Sequence, residues 1–294
     1  MISIITPTYN REKLLGRLYS ALIKQHSNRF EWIIIDDGST DNTEEVVNKW
    51  IEENIISIKY IYQENRGKYI AHNVGVQNAT KELCICIDSD DYPTDEFVKL
   101  ITDFWEKNRN KKYSGIMALK CYKDGNIIGN KLPENLKEAT LFYINETTEN
   151  SGDKALVYRT EILRQHLFPE IKNTKFITES VIYDKIDCNY TMILMNKEIC
   201  VCEYQNDGYS NNFRKLMINN PLGFNIYYIQ RIDMALNLKS RLIYASKYYA
   251  FKWLSKNKGY KYEGKHKIIV NLSIIFGIVA YYYYKLWLRK FSNE

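Results

Sequence analysis

Residues 83–91 read Leu83-Cys84-Ile85-Cys86-Ile87-Asp88-Ser89-Asp90-Asp91, five apolar residues running straight into three carboxylates around a serine. The same grammar occurs twice earlier. Trp32–Ile35 runs into Asp36-Asp37-Gly38-Ser39-Thr40-Asp41, and Ile2–Thr6 runs into Pro7-Thr8-Tyr9-Asn10. Short apolar runs without polar alternation are strands buried on both faces, the pattern of a parallel sheet covered by helices. The intervening segments supply those helices. Leu14, Leu15, Leu18, Ala21 and Leu22 share one helical face, and so do Val46, Val47, Trp50 and Ile51. Ile56–Tyr62 then reads as a further strand and Tyr69–Asn78 as a further helix. Right-handed crossovers place every strand-to-helix loop along one edge of such a sheet, where ligands bind in open α/β folds. The two acidic loops are therefore expected to converge.

Beyond residue 110 the pattern loosens. Lys123-Asp124-Gly125-Asn126 between apolar runs signals a hairpin turn. Asp153–Tyr158 and Tyr190–Tyr204 read as strands with a helix between them carrying Glu179, and after Asn211 the pattern is helical to the end. The expected class is α/β: a Rossmann-like, mostly parallel sheet with helices on both faces, followed by a helical C-terminal extension. The domain expectation is 1–205 for the sheet and 206–294 for the extension.

The chain has 294 residues, of which 45% are hydrophobic and 26% charged, an ordinary globular composition that excludes wholesale disorder. Its net charge of +6 is unevenly spread. From Gln205 onward fifteen Lys and Arg face four Asp and Glu, so the body is mildly acidic and the tail basic and tyrosine-rich. That suits an anionic membrane surface better than nucleic acid, for which no recognition module is present. The N-terminus opens on a strand with no basic leader or cleavage site, and the six cysteines form neither a CxxC knuckle nor a disulfide framework. Cys84 with Cys86, and Cys200 with Cys202, should each point to one face of a strand. Reduced thiols in a cytosolic protein are the expectation.

The chemistry concentrates in the acidic loops. Asp88-Ser89-Asp90 offers two carboxylates flanking one residue, able to hold a hard divalent cation with positions left for a diphosphate. Solvated loop carboxylates are the plain alternative. In the earlier loop Thr40 or Asp41 could cap the helix that begins near Thr43. Two adjacent carboxylates before Gly38 are better explained by Asp37 accepting from a base or ribose donor.

In order and spacing, Thr6-Pro7-Thr8-Tyr9-Asn10, Asp36-Asp37-Gly38-Ser39-Thr40-Asp41, Asn65-Arg66-Gly67 with Asn73-Val74-Gly75, and Asp88-Ser89-Asp90-Asp91 closely resemble glycosyltransferase family 2, of GT-A fold. The resemblance is strong over 1–110, which it implies is the nucleotide-sugar half, and weaker over 111–205, the acceptor half. It implies that Thr6, Pro7 and Tyr9 line the nucleotide, and that Asp37, with Asp36 behind it, reads uracil or ribose. Arg66 and Lys68 would approach base and phosphates, Asp88 would face the ribose, and Asp90, helped by Asp88, would ligate Mn2+ or Mg2+. His72 stands where the family often has arginine, and a packing imidazole is preferred there to a phosphate contact. Family members often carry Glu-Asp at a helix start in the acceptor half; here Glu179-Ser180 stands in that place. Glu179 is thus the expected catalytic base, with Asp184 and Asp153 as alternatives and a simple helix N-terminal carboxylate as the bland one.

The resemblance implies an inverting transferase moving a hexose or N-acetylhexosamine from a UDP-sugar to a lipid-linked or polymeric glycan. Capsule, exopolysaccharide or wall-polymer synthesis at the inner face of the plasma membrane would be its setting, and a homo-oligomer is left open. A sugar-1-phosphate nucleotidyltransferase would need a glycine-rich loop where Pro7–Asn10 has none, and no GxGxxG supports a dinucleotide-binding oxidoreductase. A non-catalytic glycan-binding scaffold keeping the fold is the rival of another class. Finally, Ile268–Tyr284 is apolar but for Asn271 and Ser273, and Lys285-Leu286-Trp287-Leu288-Arg289-Lys290 follows. The run falls short of the ~20 residues of a spanning helix. An interfacial anchor is favoured over a span or an ordinary packed helix.

Overall fold

The computed structural model describes residues 1–172, 174–203, 213–256 and 258–291, with side chains as far as 287. The expected strand end at Tyr204, the boundary at 205/206, the helical onset after Asn211 and the side chains of Arg289 and Lys290 lie outside the described residues. The first half alternates as the apolar runs require: β1 (Ile2–Thr8), α1 (Glu12–Ile23), β2 (Phe30–Asp36), α2 (Thr43–Glu53), β3 (Ile58–Tyr62), α3 (Lys68–Asn78) and β4 (Leu83–Cys86). Then come β5 (Asp91–Pro93), α4 (Phe97–Asn108), β6 (Tyr113–Cys121), β7 (Glu138–Ala139), α5 (Leu141–Thr147), β8 (Lys154–Arg159) and α6 (Thr160–Gln165). After these follow α7 (Ser180–Asp187), β9 (Thr191–Cys202), α8 (Phe213–Asn219), α9 (Pro221–Met234), α10 (Leu238–Leu254), α11 (Lys267–Leu272) and α12 (Ile274–Phe291).

Among the described residues the strands form one nine-stranded sheet, ordered β3-β2-β1-β4-β8-β6-β9-β5 with β7 beside β9. β3, β2, β1 and β4 are parallel throughout. β8 runs antiparallel to β4 and β6, and β9 is parallel to β6. Both faces of the parallel part are covered, and the strand period shows how. Ile2, Ile4, Trp32 and Ile34 pack with Leu15, Leu18 and Leu22 of α1 and Val47 and Trp50 of α2. The alternate residues Ile5 and Ile35 lie against α3, so closely that a Cβ on Gly75 would come within 2.8 Å of Ile35 Cδ1. A stack of Tyr19 on Trp50, with ring centroids 4.4 Å apart, and Trp32 seals the first face.

Several boundaries differ from expectation for identifiable reasons. β1 continues to Thr8 because Pro7 and Thr8 still pair with Ile35 and Asp36. Thr6 is consequently fully buried, and its hydroxyl accepts a 2.9 Å hydrogen bond from Trp32 Nε1. The expectation that Thr6 lines the nucleotide is thus corrected for its side chain. The turn at Asp124–Asn126 forms as read, with Gly125 N donating to Tyr122 O. Glu179 stands one residue before α7 rather than within a helix.

The chain divides into two compact units, Met1–Glu170 with Ile182–Gln205, and Ile171–Val181 with Asn206–Glu294. Residues 171–181, Glu179 among them, group with the helical unit. In that unit Phe224, Tyr228, Tyr248 and Phe251 form an aromatic core with Ile232 and Val270. Among the described residues no helix is long and apolar enough to cross a membrane.

Thr6→Val keeps the shape of the buried site but removes the acceptor for the Trp32 indole. It should cost about 1–3 kcal/mol, the penalty for an unsatisfied buried donor, read by urea denaturation.

Candidate active site

Parallel pairing brings the carboxyl ends of β1, β2, β3 and β4 to one edge, and the loops there are tied together by side chains. Asp37 N donates to Thr8 O at 2.8 Å, and Gln63 N donates to Asp36 O at 2.9 Å. Asn10, in the left-handed region at φ 53°, accepts Thr40 N on its Oδ1 at 2.7 Å and donates its own N–H to Ser39 Oγ at 2.8 Å. The first loop is thus laced to the first acidic loop. Asp41 accepts from the backbone N and hydroxyl of Thr43 at the start of α2, whose N-cap residue is Asn42, so neither Thr40 nor Asp41 occupies the cap position.

The two carboxylates of that loop divide their work. Asp36 is buried, with Oδ1 accepting Ser39 N at 2.7 Å and Oδ2 accepting Tyr60 Oη at 2.7 Å. Burial and the Asp36 carboxylate push the Tyr60 phenol well up. Asp37 is buried as well. Its Oδ1 accepts Gln63 Nε2 at 2.7 Å and Arg66 N at 2.8 Å, and its Oδ2 accepts Gly67 N at 2.8 Å. Asp37 therefore shapes the 65–67 turn. Gly67 takes φ 97° there, a backbone that excludes most side chains, and Gly38 at φ 85° passes so near that a Cβ would lie 2.8 Å from Asn65 N. Pro7 is buried within β1, whereas Tyr9 is exposed at the mouth of the loop.

The 65–67 turn starts α3 and aims its first residue at the second acidic loop. Lys68 Nζ lies 2.7 Å from Asp88 Oδ1 and 2.8 Å from Oδ2, gripping both oxygens. Arg66 points elsewhere, to Glu170 Oε2 at 2.5 Å. Within the loop Asp91 N closes a tight turn on Asp88 O at 3.0 Å. Burial alone would raise Asp88, but the ammoniums of Lys68 and Lys120 outweigh it and hold its carboxyl below the usual range. Asp90 is moved the opposite way, raised first by burial and then by the carboxylates of Asp88 and Asp91.

These hard oxygen donors, with negative charge in surplus around Asp90, suit a divalent cation. The surplus is greatest at Asp90, whereas Asp88 is held by Lys68. A second group of metal-type donors exists among the described residues: Asp91, Cys200 and Cys202, all buried, with ligand atoms within 4.8 Å of one another. Lys120 Nζ already sits 3.1 Å from Asp91 Oδ2, which also accepts from Cys202 Sγ at 3.1 Å. A buried ion pair with a thiol donor accounts for this group, and two soft thiolates do not fit Mn2+ or Mg2+. The expected common face of Cys200 and Cys202 is seen here, and all six cysteines are free thiols.

The three carboxylates expected as candidate bases are placed as follows. Glu179 belongs to the helical unit, in the turn where Val181 N donates to Thr178 O at 3.0 Å. Asp184 is 2% exposed, whereas Asp153 is exposed next to Gly152. His72 is buried edge-on against Phe168, centroids 5.3 Å apart, the packing role preferred for it. Asn73 clamps the same segment, donating to Phe168 O and accepting Phe168 N, each at 2.9 Å.

Three partners escaped sequence reading. Gln63 had a signal: it follows the β3 run by one residue, so parallel register sets it beside Asp37. Lys120 and Cys202 had none, because each meets Asp91 only through the pairing of β6, β9 and β5.

The two carboxylates should answer oppositely to neutralisation in metal-free protein. Asp88, with its pKa lowered in the fold, stabilises above the ordinary carboxylate range and loses that contribution as pH falls through its lowered value. Asp90, with its pKa raised, favours the fold when protonated and loses that contribution as pH rises through its raised value. At neutral pH Asp88→Asn should lower Tm and Asp90→Asn should raise it, measured by calorimetry in chelator. Shifts of the same sign would contradict this division of charge.

Residues 3–167 match the family described as Glycosyl transferase family 2. The poly(ribitol-phosphate) beta-N-acetylglucosaminyltransferase TarS of Staphylococcus aureus is 28% identical over 172 residues, 57% of this chain and 29% of its own. The chain thus spans under a third of that curated relative. Residues 1–349 of S. aureus TarS in complex with UDP-GlcNAc superpose with a TM-score of 0.59 at 20% identity, over 98% of this chain and 91% of that one. The mannosyltransferase PcManGT from Pyrobaculum calidifontis, in complex with GDP-Man and Mn2+, gives a TM-score of 0.55 at 18% identity, over 97% and 82% of the two chains. At such identities the likeness speaks for the fold, which is the GT-A fold that the family resemblance implied. With its sheet, its strand-end motifs and more than half its length matched, the chain belongs to glycosyl transferase family 2.

Proposed function

We propose that this protein is an inverting glycosyltransferase that moves a hexose or N-acetylhexosamine from a UDP-sugar to a lipid-linked or polymeric glycan. The reading rests on one observation above all. Asp90 lies beside Asp88 and Asp91 in a surplus of negative charge, at the sheet edge where Lys68 meets Asp88. Such an edge suits a cation and a diphosphate together. UDP-GlcNAc bound to TarS and GDP-Man with Mn2+ bound to PcManGT support the same class of donor.

In this mechanism Tyr9 and the Asp37-shaped turn form the nucleotide wall, and Arg66 and Lys68 offer cations to base and phosphates. Asp90, with Asp88, would hold Mn2+ or Mg2+, which would supply positive charge to offset the negative charge growing on a departing diphosphate. Glu179 accepts the proton of the acceptor hydroxyl as that oxygen attacks the anomeric carbon. The bond from that carbon to the diphosphate breaks on the opposite side, so configuration inverts in one displacement. Glu179 is assigned by its place in the acceptor half, and the burial of Asp184 counts against that residue as a base open to a sugar. The domain reading is a catalytic region over 1–205 and an appended region over 206–294. The setting is assembly of a cell-surface polysaccharide such as capsule, at the cytoplasmic face of the membrane.

Calorimetric titration with UDP should give binding that requires Mn2+ or Mg2+ and is lost in Asp90→Ala. Metal-independent binding, or full binding by that variant, would remove the metal assignment. Glu179→Gln should bind UDP normally yet slow sugar transfer on the order of 10²–10⁴-fold, the usual worth of a general base. An unchanged rate would move the base to Asp184 or Asp153.

A further inference from the structure

The helical unit turns its apolar side outward along α11 and α12. Ile268, Leu272, Ile275, Val279, Tyr282 and Leu286 recur three and four residues apart and are between 56% and 77% exposed. That spacing places them on one face. The opposite line carries small residues pressed against the protein. Ser273 is fully buried, and a Cβ on Gly277 would come within 2.6 Å of Tyr249 Cβ on α10. Side packing by Phe251 on Tyr284 and Trp253 on Tyr281 fixes the same rotation. The outward direction of the apolar face is therefore set by close packing behind it. Six large apolar side chains in one contiguous exposed stripe, flanked by cations, are the kind of patch that marks an interaction surface.

Charge identifies what covers it. From Lys265 to Asn293 the chain has no Asp or Glu, and its cations stand at the two ends: Lys265 and Lys267 before the apolar run, Lys285, Arg289 and Lys290 after it. The seventeen residues from 268 to 284 carry no charge at all. A second copy pairing through this face would bring like-charged ends together, in either orientation, with no carboxylate to offset them. An anionic surface meets both ends at once. Tyrosines on the exposed face suit the headgroup level, where an apolar ring and a polar hydroxyl are both accommodated. Because one side of α12 is committed to α10, an orientation along the surface uses the free side fully.

We propose that the outward face of α11 and α12 is a membrane-docking surface that lies in the plane of an anionic bilayer, its apolar stripe at the acyl boundary and its terminal lysines on phosphate headgroups. This deepens the reading of a membrane-linked acceptor and rests on it only for its biological purpose; lipid binding is measured without sugar transfer, so either can fail alone.

The test uses the full chain with phosphatidylcholine vesicles, with and without phosphatidylglycerol, by co-sedimentation. Binding should require phosphatidylglycerol and weaken as salt rises. The double variant Ile275→Asp/Val279→Asp should lose at least about tenfold in partitioning, since charge on the buried side of an interfacial helix opposes insertion. Lys267→Glu/Lys285→Glu should also lose about thirtyfold or more, from two lysines each worth about 1 kcal/mol near such a surface. Both positions are exposed, and unaltered near-UV circular dichroism and UDP binding verify the fold of the variants. Equal binding to neutral vesicles, or equal binding by wild type and variants, would overturn the proposal. So would a dimer in sedimentation velocity that the aspartate variant dissociates, which would assign the face to a second copy. Absence of vesicle binding by a monomer would overturn it as well.

Discussion

One buried carboxylate organises the acidic strand-end edge of this protein. Asp37 ends β2 and collects three N–H donors from beyond β3: the Gln63 amide and the backbone of Arg66 and Gly67. A carboxylate out of water needs such partners, and hydrogen bonds to a charged acceptor are roughly twice as strong as neutral ones. The grip sets the turn at Gly67, the turn sets where α3 begins, and the first residue of α3 is Lys68. The Lys68 grip on Asp88 depends on that sequence of constraints. This edge is thereby assembled by strand register and one carboxylate.

The second acidic loop shows how three adjacent carboxylates can share one turn. Asp88 is answered by Lys68 and Asp91 by Lys120, each within about hydrogen-bond distance. Asp90 receives the repulsion of both neighbours without equal compensation, which is why burial and charge move it up while Asp88 moves down. A residue kept in electrostatic deficit costs stability in the empty protein and gains it back when a cation binds. The Asp91–Lys120–Cys202 group is the structural counterpart: satisfied, buried, and closed to a hard metal ion. Both groups contain an ammonium; what distinguishes them is that Lys120 answers Asp91 directly, whereas Asp90 faces the like charge of Asp88 and Asp91.

In the helical unit the physical theme is packing direction. Phe224, Tyr228 and Phe251 fill the interior at centroid separations near 5.5 Å, and Gly277 lets α12 press onto α10. With Val270, Ser273 and Gly277 turned inward, Ile268, Leu272, Ile275 and Val279 are left on the outward side. A hydrophobic run that in isolation resembles a membrane segment is thus a packed helix on one side and an exposed surface on the other.

Much was legible from the chain itself. Unalternating apolar runs and helical spacing between them identify the parallel half to within a few residues, because both periods follow from local backbone geometry and burial. The convergence of the acidic loops follows from crossover handedness alone. The motifs in order identify the family on the same local information. What tertiary structure decided were partners and directions. Thr6 reads as the start of a ligand loop, yet two further residues of pairing with β2 carry it inside, onto Trp32. Lys120 meets Asp91 across 29 residues, and Cys202 meets it across 111, through pairings that no local pattern encodes. Glu179 groups with the helical unit although strands of the sheet flank it in sequence. Local sequence determines period and turn chemistry, whereas which side chain neutralises which depends on long-range register, and register is settled only when the whole sheet has closed on its core.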